Sequence, residues 1–171
     1  MDQATINYEV YEDNNAYVGI TETAMPDISF LNESISGAGI AGNIDAVITA
    51  MIDAMNVTLN FVHASAATAK LAEPKRHRLT FRAAEQYEDP VAATLGVKAV
   101  KHVMECIPKG YKFGTHKPAG SNGGSTEMAV RYWACYAKEK KILELDPLNN
   151  IIFINGTDYA APVRKAMGLA N

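Results

Sequence analysis

A mainly β fold, one barrel- or sandwich-like domain over residues 1–171 with one or two short helices, is predicted by three features of this sequence. Several short runs alternate apolar and polar residues with period two, as strands with one face toward a core do. Clusters of Gly, Pro, Asn and Asp separate those runs. No regular alternation of strand with long helix, no internal repeat and no interdomain linker interrupts the pattern.

Ile6, Tyr8 and Val10 alternate with Asn7, Glu9 and Tyr11 in a first strand. Glu12-Asp13-Asn14-Asn15 supplies turn chemistry, and residues 16–23 resume as a second strand, making a hairpin. Residues 27–35 offer a third strand before Gly37, Gly39 and Gly42. Ile44, Val47, Ile48, Met51, Ile52 and Met55 then fall at i, i+3, i+4, i+7, i+8 and i+11, the stripe of a helix opened by Asn43. Residues 56–61 carry the cleanest alternation, with Val57, Leu59 and Phe61 on one face. The alanine-rich residues 64–71 suit a short helix stopped by Pro74.

Residues 78–87 and 97–107 read as further strands. Residues 108–127, with five glycines, two prolines and little apolar content, predict a long mobile loop. Residues 128–137 and 142–146 flank Lys138-Glu139-Lys140-Lys141 as a hairpin, and residues 150–155 add a strand before the Asn155-Gly156 turn. Asp158 is placed to cap a helix that runs to Met167 and stops at Gly168.

A chain of 171 residues suits one domain that buries roughly 70% of its unfolded surface. Its apolar runs fall short of the ~20 residues a membrane-spanning helix needs. The opening MDQATINYEVYEDNN lacks the cationic start and apolar run of a secretory signal, so the chain is expected to be made and kept in the cytoplasm. Cys106 and Cys135 are then expected to be reduced core thiols. The net charge of −3 hides a segregation: residues 1–69 hold nine acidic groups and no Lys or Arg, while the remainder holds 16 basic and 10 acidic. Either the two parts neutralise each other within one globule, or acidic and basic faces meet between copies, or an acidic face lines a passage for nucleic acid.

Gly37-Ala38-Gly39-Ile40-Ala41-Gly42 satisfies the G-x-G-x-x-G pattern ahead of helical spacing, which raises a second reading, a dinucleotide-binding enzyme using the Gly37–Gly42 loop. Two features count against it. No acid appears between Asp53 and Glu73 to hold a ribose, and no strand-helix alternation builds a parallel sheet. The alternative is a glycine loop that turns the chain between strands, with Gly37 and Gly39 both expected to resist β-branched residues. His63, His77, His102 and His116 are scattered, and Gly120-Ser121-Asn122-Gly123-Gly124-Ser125 lacks the Gly-Lys-Ser/Thr ending of a phosphate loop. No catalytic residue, metal site or cofactor is expected.

Two stretches resemble the major tail tube protein family of contractile-tailed phages, shared with R-type bacteriocins. The first is Ser36-Gly37-Ala38-Gly39-Ile40-Ala41-Gly42 with residues 43–48 and the alternating strand behind it. The second includes Tyr132, Lys141-Ile142-Leu143-Glu144-Leu145-Asp146, Asn149, Asn155-Gly156-Thr157-Asp158, Arg164, Gly168 and Leu169. Together they cover about half the chain. The resemblance implies a fold related to the type VI secretion tube, six copies closing a ring whose joined strands form a larger barrel, and rings stacking into a tube within a sheath. It implies a tape-measure protein held during assembly, baseplate and tail terminator partners, and either DNA passing through the lumen of a phage tail or a membrane-piercing bacteriocin channel. It also implies strand, turn, strand over residues 44–55, where periodicity counts a helix. The interface candidates are Gly37, Gly39, Gly42, Lys109, Lys112, His116, Lys117, Asp158 and Arg164.

Overall fold

The computed structural model describes residues 1–13, 15–17 and 19–169. In chain order they form β1 (Asp2–Glu12), β2 (Asn15–Tyr17), β3 (Ile20–Ala24), β4 (Phe30–Ile35), β5 (Ile44–Ile52), β6 (Met55–Phe61), α1 (Ala66–Ala69) and a 3-10 turn (Lys70–Ala72). There follow β7 (His77–Asp89), β8 (Thr94–Lys112), β9 (Ser125–Ala137), β10 (Lys140–Asp146), β11 (Ile151–Ile154), β12 (Thr157–Asp158) and α2 (Ala161–Ala166). The chain is thus mainly β, as its alternation predicts, and every strand pair is antiparallel.

Ten strands make one sheet, ordered β12-β11-β10-β9-β8-β7-β1-β2, with β6 added to β9 and β3 to β6. One edge of β9 is divided: residues 125–130 pair with β6 and residues 133–137 pair with β10. This division lets β6 and β3 fold back over the sheet. Met55, Val57, Leu59 and Phe61 of β6 thereby meet Leu79, Phe81, Met104, Met128 and Trp133, all buried. Burial of each such side chain contributes roughly 1.5–3 kcal/mol. The sheet stops short of a closed barrel. Among the described residues no backbone pairing joins β3 to β1; the Tyr8 hydroxyl meets Thr23 Oγ1 at 3.1 Å across the seam.

Three expectations are corrected, and one open alternative is decided. Residues 16–23 are two strands: β2 pairs with β1, while β3 leaves for β6, so the sequence run is broken between partners. Asn14 of the predicted turn and Val18 of the predicted strand lie outside the described residues. Over residues 44–55 the helix that periodicity counts is absent: β5, a break at Asp53 and Ala54, and the start of β6 are the strand, turn, strand that the resemblance implies. The predicted loop over 108–127 shrinks to residues 113–124, because β8 continues to Lys112 and β9 begins at Ser125. Pro108 is accommodated at a bulge, where a missing N–H breaks no regular ladder. Finally, Asp158 does not sit at the helix N-cap, a place taken by Ala160. Its carboxylate instead accepts the Ala160 N–H at 3.0 Å just before the helix.

Other local readings hold. Ser65 caps α1 in a capping box with Thr68, and the helix ends before Pro74. Asn155 and Gly156 both take positive φ, 48° and 95°, in the two-residue turn from β11 to β12. Gly168 ends α2 in a Schellman arrangement, its N–H reaching the Lys165 carbonyl at 3.1 Å and the Leu169 N–H reaching that of Arg164 at 3.0 Å.

Candidate assembly surfaces

Among the described residues, strands β4 and β5 pair with each other alone, as a separate two-stranded sheet. Their register places Glu33, Ile35, Ile44, Ala46 and Ile48 on one face and Asn32, Ser34, Asp45 and Val47 on the other. Ile35, Ile44, Val47, Ile48 and Met51 are all exposed, so among the described residues this hairpin is an apolar arm with these side chains uncovered. Contiguous exposed apolar surface of this kind marks an association site.

The glycine hexad forms the tip of the arm. The Ile40 N–H bonds the Gly37 carbonyl at 3.1 Å in a tight turn. The tip is followed by strand β5, so no helix N-terminus stands behind the glycines to hold a pyrophosphate, and the dinucleotide reading loses its geometry. Gly39 and Gly42 have φ of 88° and 130°, but Gly37 does not take a positive φ. The expectation for Gly37 is therefore revised. Gly39→Val should distort the tip at a cost of about 1–2 kcal/mol, whereas Gly37→Val should be tolerated. Exchange of the Ile40 amide is expected to accelerate only in the former; equal rates would refute this.

A second surface is the free edge of β1. Among the described residues, 2–9 of this strand pair with β7 on one side and with no strand on the other, β2 meeting Val10, Tyr11 and Glu12. An unpaired edge is a template for a strand of another molecule.

The remaining candidates are dispersed. Lys109 lies on β8 and is engaged inside the chain, with Glu127 at 2.6 Å and Asn56 Oδ1 at 3.1 Å. Lys112 ends β8, and His116 and Lys117 lie exposed in the 113–124 loop. That loop is tied at its base: the Thr115 N–H donates to Asn122 at 2.7 Å and the Gly123 N–H to Val62 at 3.0 Å. Arg164 pairs with Asp158 at 2.8 Å and also donates to the Asn150 carbonyl, so the two fasten α2 to the β11–β12 hairpin. Burial alone would raise the Asp158 pKa; the Arg164 guanidinium and the Ala160 and Ile152 N–H groups outweigh it and hold the carboxyl below its ordinary range. This contribution is complete above that ordinary range and is lost as pH falls through the lowered value.

Sequence reasoning missed the outward face of β7 and β8, where Arg82 lies directly opposite Lys101. Arg82 stands over the Tyr11 ring at 4.9 Å and Lys101 over the Tyr136 ring at 4.9 Å. The period-two spacing of Arg78, Thr80 and Arg82 is the signal that marked it. The buried cysteines are inert by contrast: desolvation pushes the Cys106 thiol up to about 12 and the Cys135 thiol to about 11.

Comparison with known proteins follows this geometry. A PVC sheath/tube terminator of an extracellular contractile injection system, in its extended state, has a similar fold, at TM-score 0.52 and 8% identity over 77% of this chain and 94% of that one. A chain of the PVC sheath-tube complex in the extended state gives 0.50 and 10% over 76% and 88%. A chain of the anti-feeding prophage baseplate gives 0.50 and 10% over 81% and 99%. No curated protein sequence matches the chain. The family described as phage tail tube protein FII matches residues 2–168. The chain therefore belongs to the phage tail tube protein FII family.

Proposed function

We propose that copies of this chain, each one tube domain of residues 1–171, close into hexameric rings that stack as the hollow inner tube of a contractile phage tail or R-type bacteriocin, and that the chain catalyses nothing. The match to the tail tube family over residues 2–168 carries this reading. The free β1 edge supports ring closure, because pairing with a neighbour's strand satisfies its backbone groups. The apolar arm supports stacking, a heterologous contact that needs two different faces on each copy.

A sheath, a baseplate and a tail terminator are the partners, by analogy with the injection-system assemblies whose folds this chain shares. A tape-measure protein occupies the lumen during assembly in the host cytoplasm, and DNA follows if the particle is a phage. Gly37, Gly39 and Gly42 serve the contact by shaping the arm's tip, and Lys112, His116 and Lys117 by presenting a basic loop. Lys109, Asp158 and Arg164 serve it by holding the surfaces behind it.

Electron microscopy of the purified protein across a range of ionic strength tests the reading. Rings or rods are expected, fewer at high salt, because charged groups of the acidic first part and the basic remainder meet between copies. A monomer that never assembles and instead binds a dinucleotide tightly and saturably would overturn it.

A further inference from the structure

Arg82 and Lys101 are directly opposed on neighbouring antiparallel strands, an arrangement that destabilises a sheet unless something else meets the charge. Neither makes an ion pair among the described residues. Glu9 lies across from Arg82 on β1, yet its carboxylate is taken by the Tyr11 hydroxyl. On the same outward face β8 continues into Ala99, Val97 and Leu95, of which Val97 is 64% and Leu95 66% exposed. This patch is therefore cationic at one end and apolar at the other.

The arm has the matching composition. The face that carries Ile35 and Ile44, 46% and 56% exposed, has Glu33 as its one charged group, and β4 and β5 hold no Lys or Arg. We propose that the β4–β5 arm of one copy lies on the outward face of β7 and β8 of a second copy, its isoleucines against Val97 and Leu95 and Glu33 against Lys101. The inference rests on the assembly of copies proposed above and names the surface that receives the arm. Apolar contact supplies the affinity, and the Glu33 to Lys101 pairing selects the register.

A charge swap tests it. Both positions are at the surface, and far-UV circular dichroism checks that each variant folds. Glu33→Lys and Lys101→Glu alone are each expected to raise the concentration needed for assembly by about tenfold, and the double variant to recover most of the loss. Independently, a chain with Ile44→Cys and Val97→Cys should form disulfide-linked multimers on oxidation, while each single variant should not, the native thiols being buried. Normal assembly of both single charge variants, or failure of the double variant to recover, together with no cross-linking, would overturn the proposed receptor and leave the tube reading standing. A parent protein that forms no ring or rod would overturn both.

Discussion

Replacing His77 with leucine is expected to lower stability by about 3 kcal/mol. His77 is wholly buried, with Nδ1 2.5 Å from Glu12 Oε1 and Nε2 3.0 Å from the Glu73 carbonyl. The Tyr17 hydroxyl donates to the other oxygen of Glu12. One imidazole thus ties β1, β2, β7 and the segment after α1 together. Leucine fills similar space but strands a mostly buried carboxylate and a carbonyl, and an orphaned polar group costs more than its bond was worth. His77→Gln, which keeps a donor, should lose about half as much. Urea denaturation with an unchanged m-value would measure both. A loss below about 1 kcal/mol for leucine would show that water or a shifted Tyr17 replaces the ring.

Shortening the arm is expected to abolish assembly while sparing the fold. Asn32 and Val47 are cross-strand partners, so residues 33–46 can be replaced by Asn-Gly, which closes a two-residue hairpin turn between them. The change removes Ile35, Ile44, Glu33, Asp45 and the glycine tip. Ala50 and Ile52, which pack against the core, remain. The ten-stranded sheet loses no pairing. Sedimentation should show a folded monomer at concentrations about a hundredfold above those at which the parent assembles. Rods from the shortened protein would mean that the arm is not the principal contact.

The parts of this fold legible in sequence are those where burial enforces a period. In β6 each alternate residue is buried, and Val57, Leu59 and Phe61 announce the strand unaided. The same holds for the start of β7, where His77, Leu79 and Phe81 are buried, and for Met128 and Val130 of β9. The arm was illegible for the opposite reason. Only the end of β5 reaches the core, at Ala50 and Ile52, so Ile44, Val47, Ile48 and Met51 need not alternate, and their spacing imitates a helix. Only the family resemblance pointed to strand, turn, strand. At β8 the composition of residues 108–112 argued for a loop, but a bulge lets Pro108 and Gly110 continue along β9. Of the interface candidates, the tip glycines were found through their pattern; Arg82 and Lys101 were not, because opposition across strands depends on a register that no local sequence records.

The pairing of β1 with β7 and of β6 with β9 sets an order of events during synthesis. Asp2 finds its partner at Tyr87 and Met55 at Val130, so the first third of the chain leaves the ribosome long before the strands it must join exist. During that interval β1 and β6 lack their partners in β7 and β9, while the segment carries Phe30 and the exposed isoleucines. Its nine acidic groups, with no Lys or Arg among residues 1–69, make neighbouring nascent chains on a polysome repel one another. Lys98, which arrives with β8, pairs with Asp2 only as the sheet forms. Protease challenge of stalled nascent chains would reveal protection of β6 only after residue 130 has emerged; earlier protection would show that the N-terminal strands find other partners first.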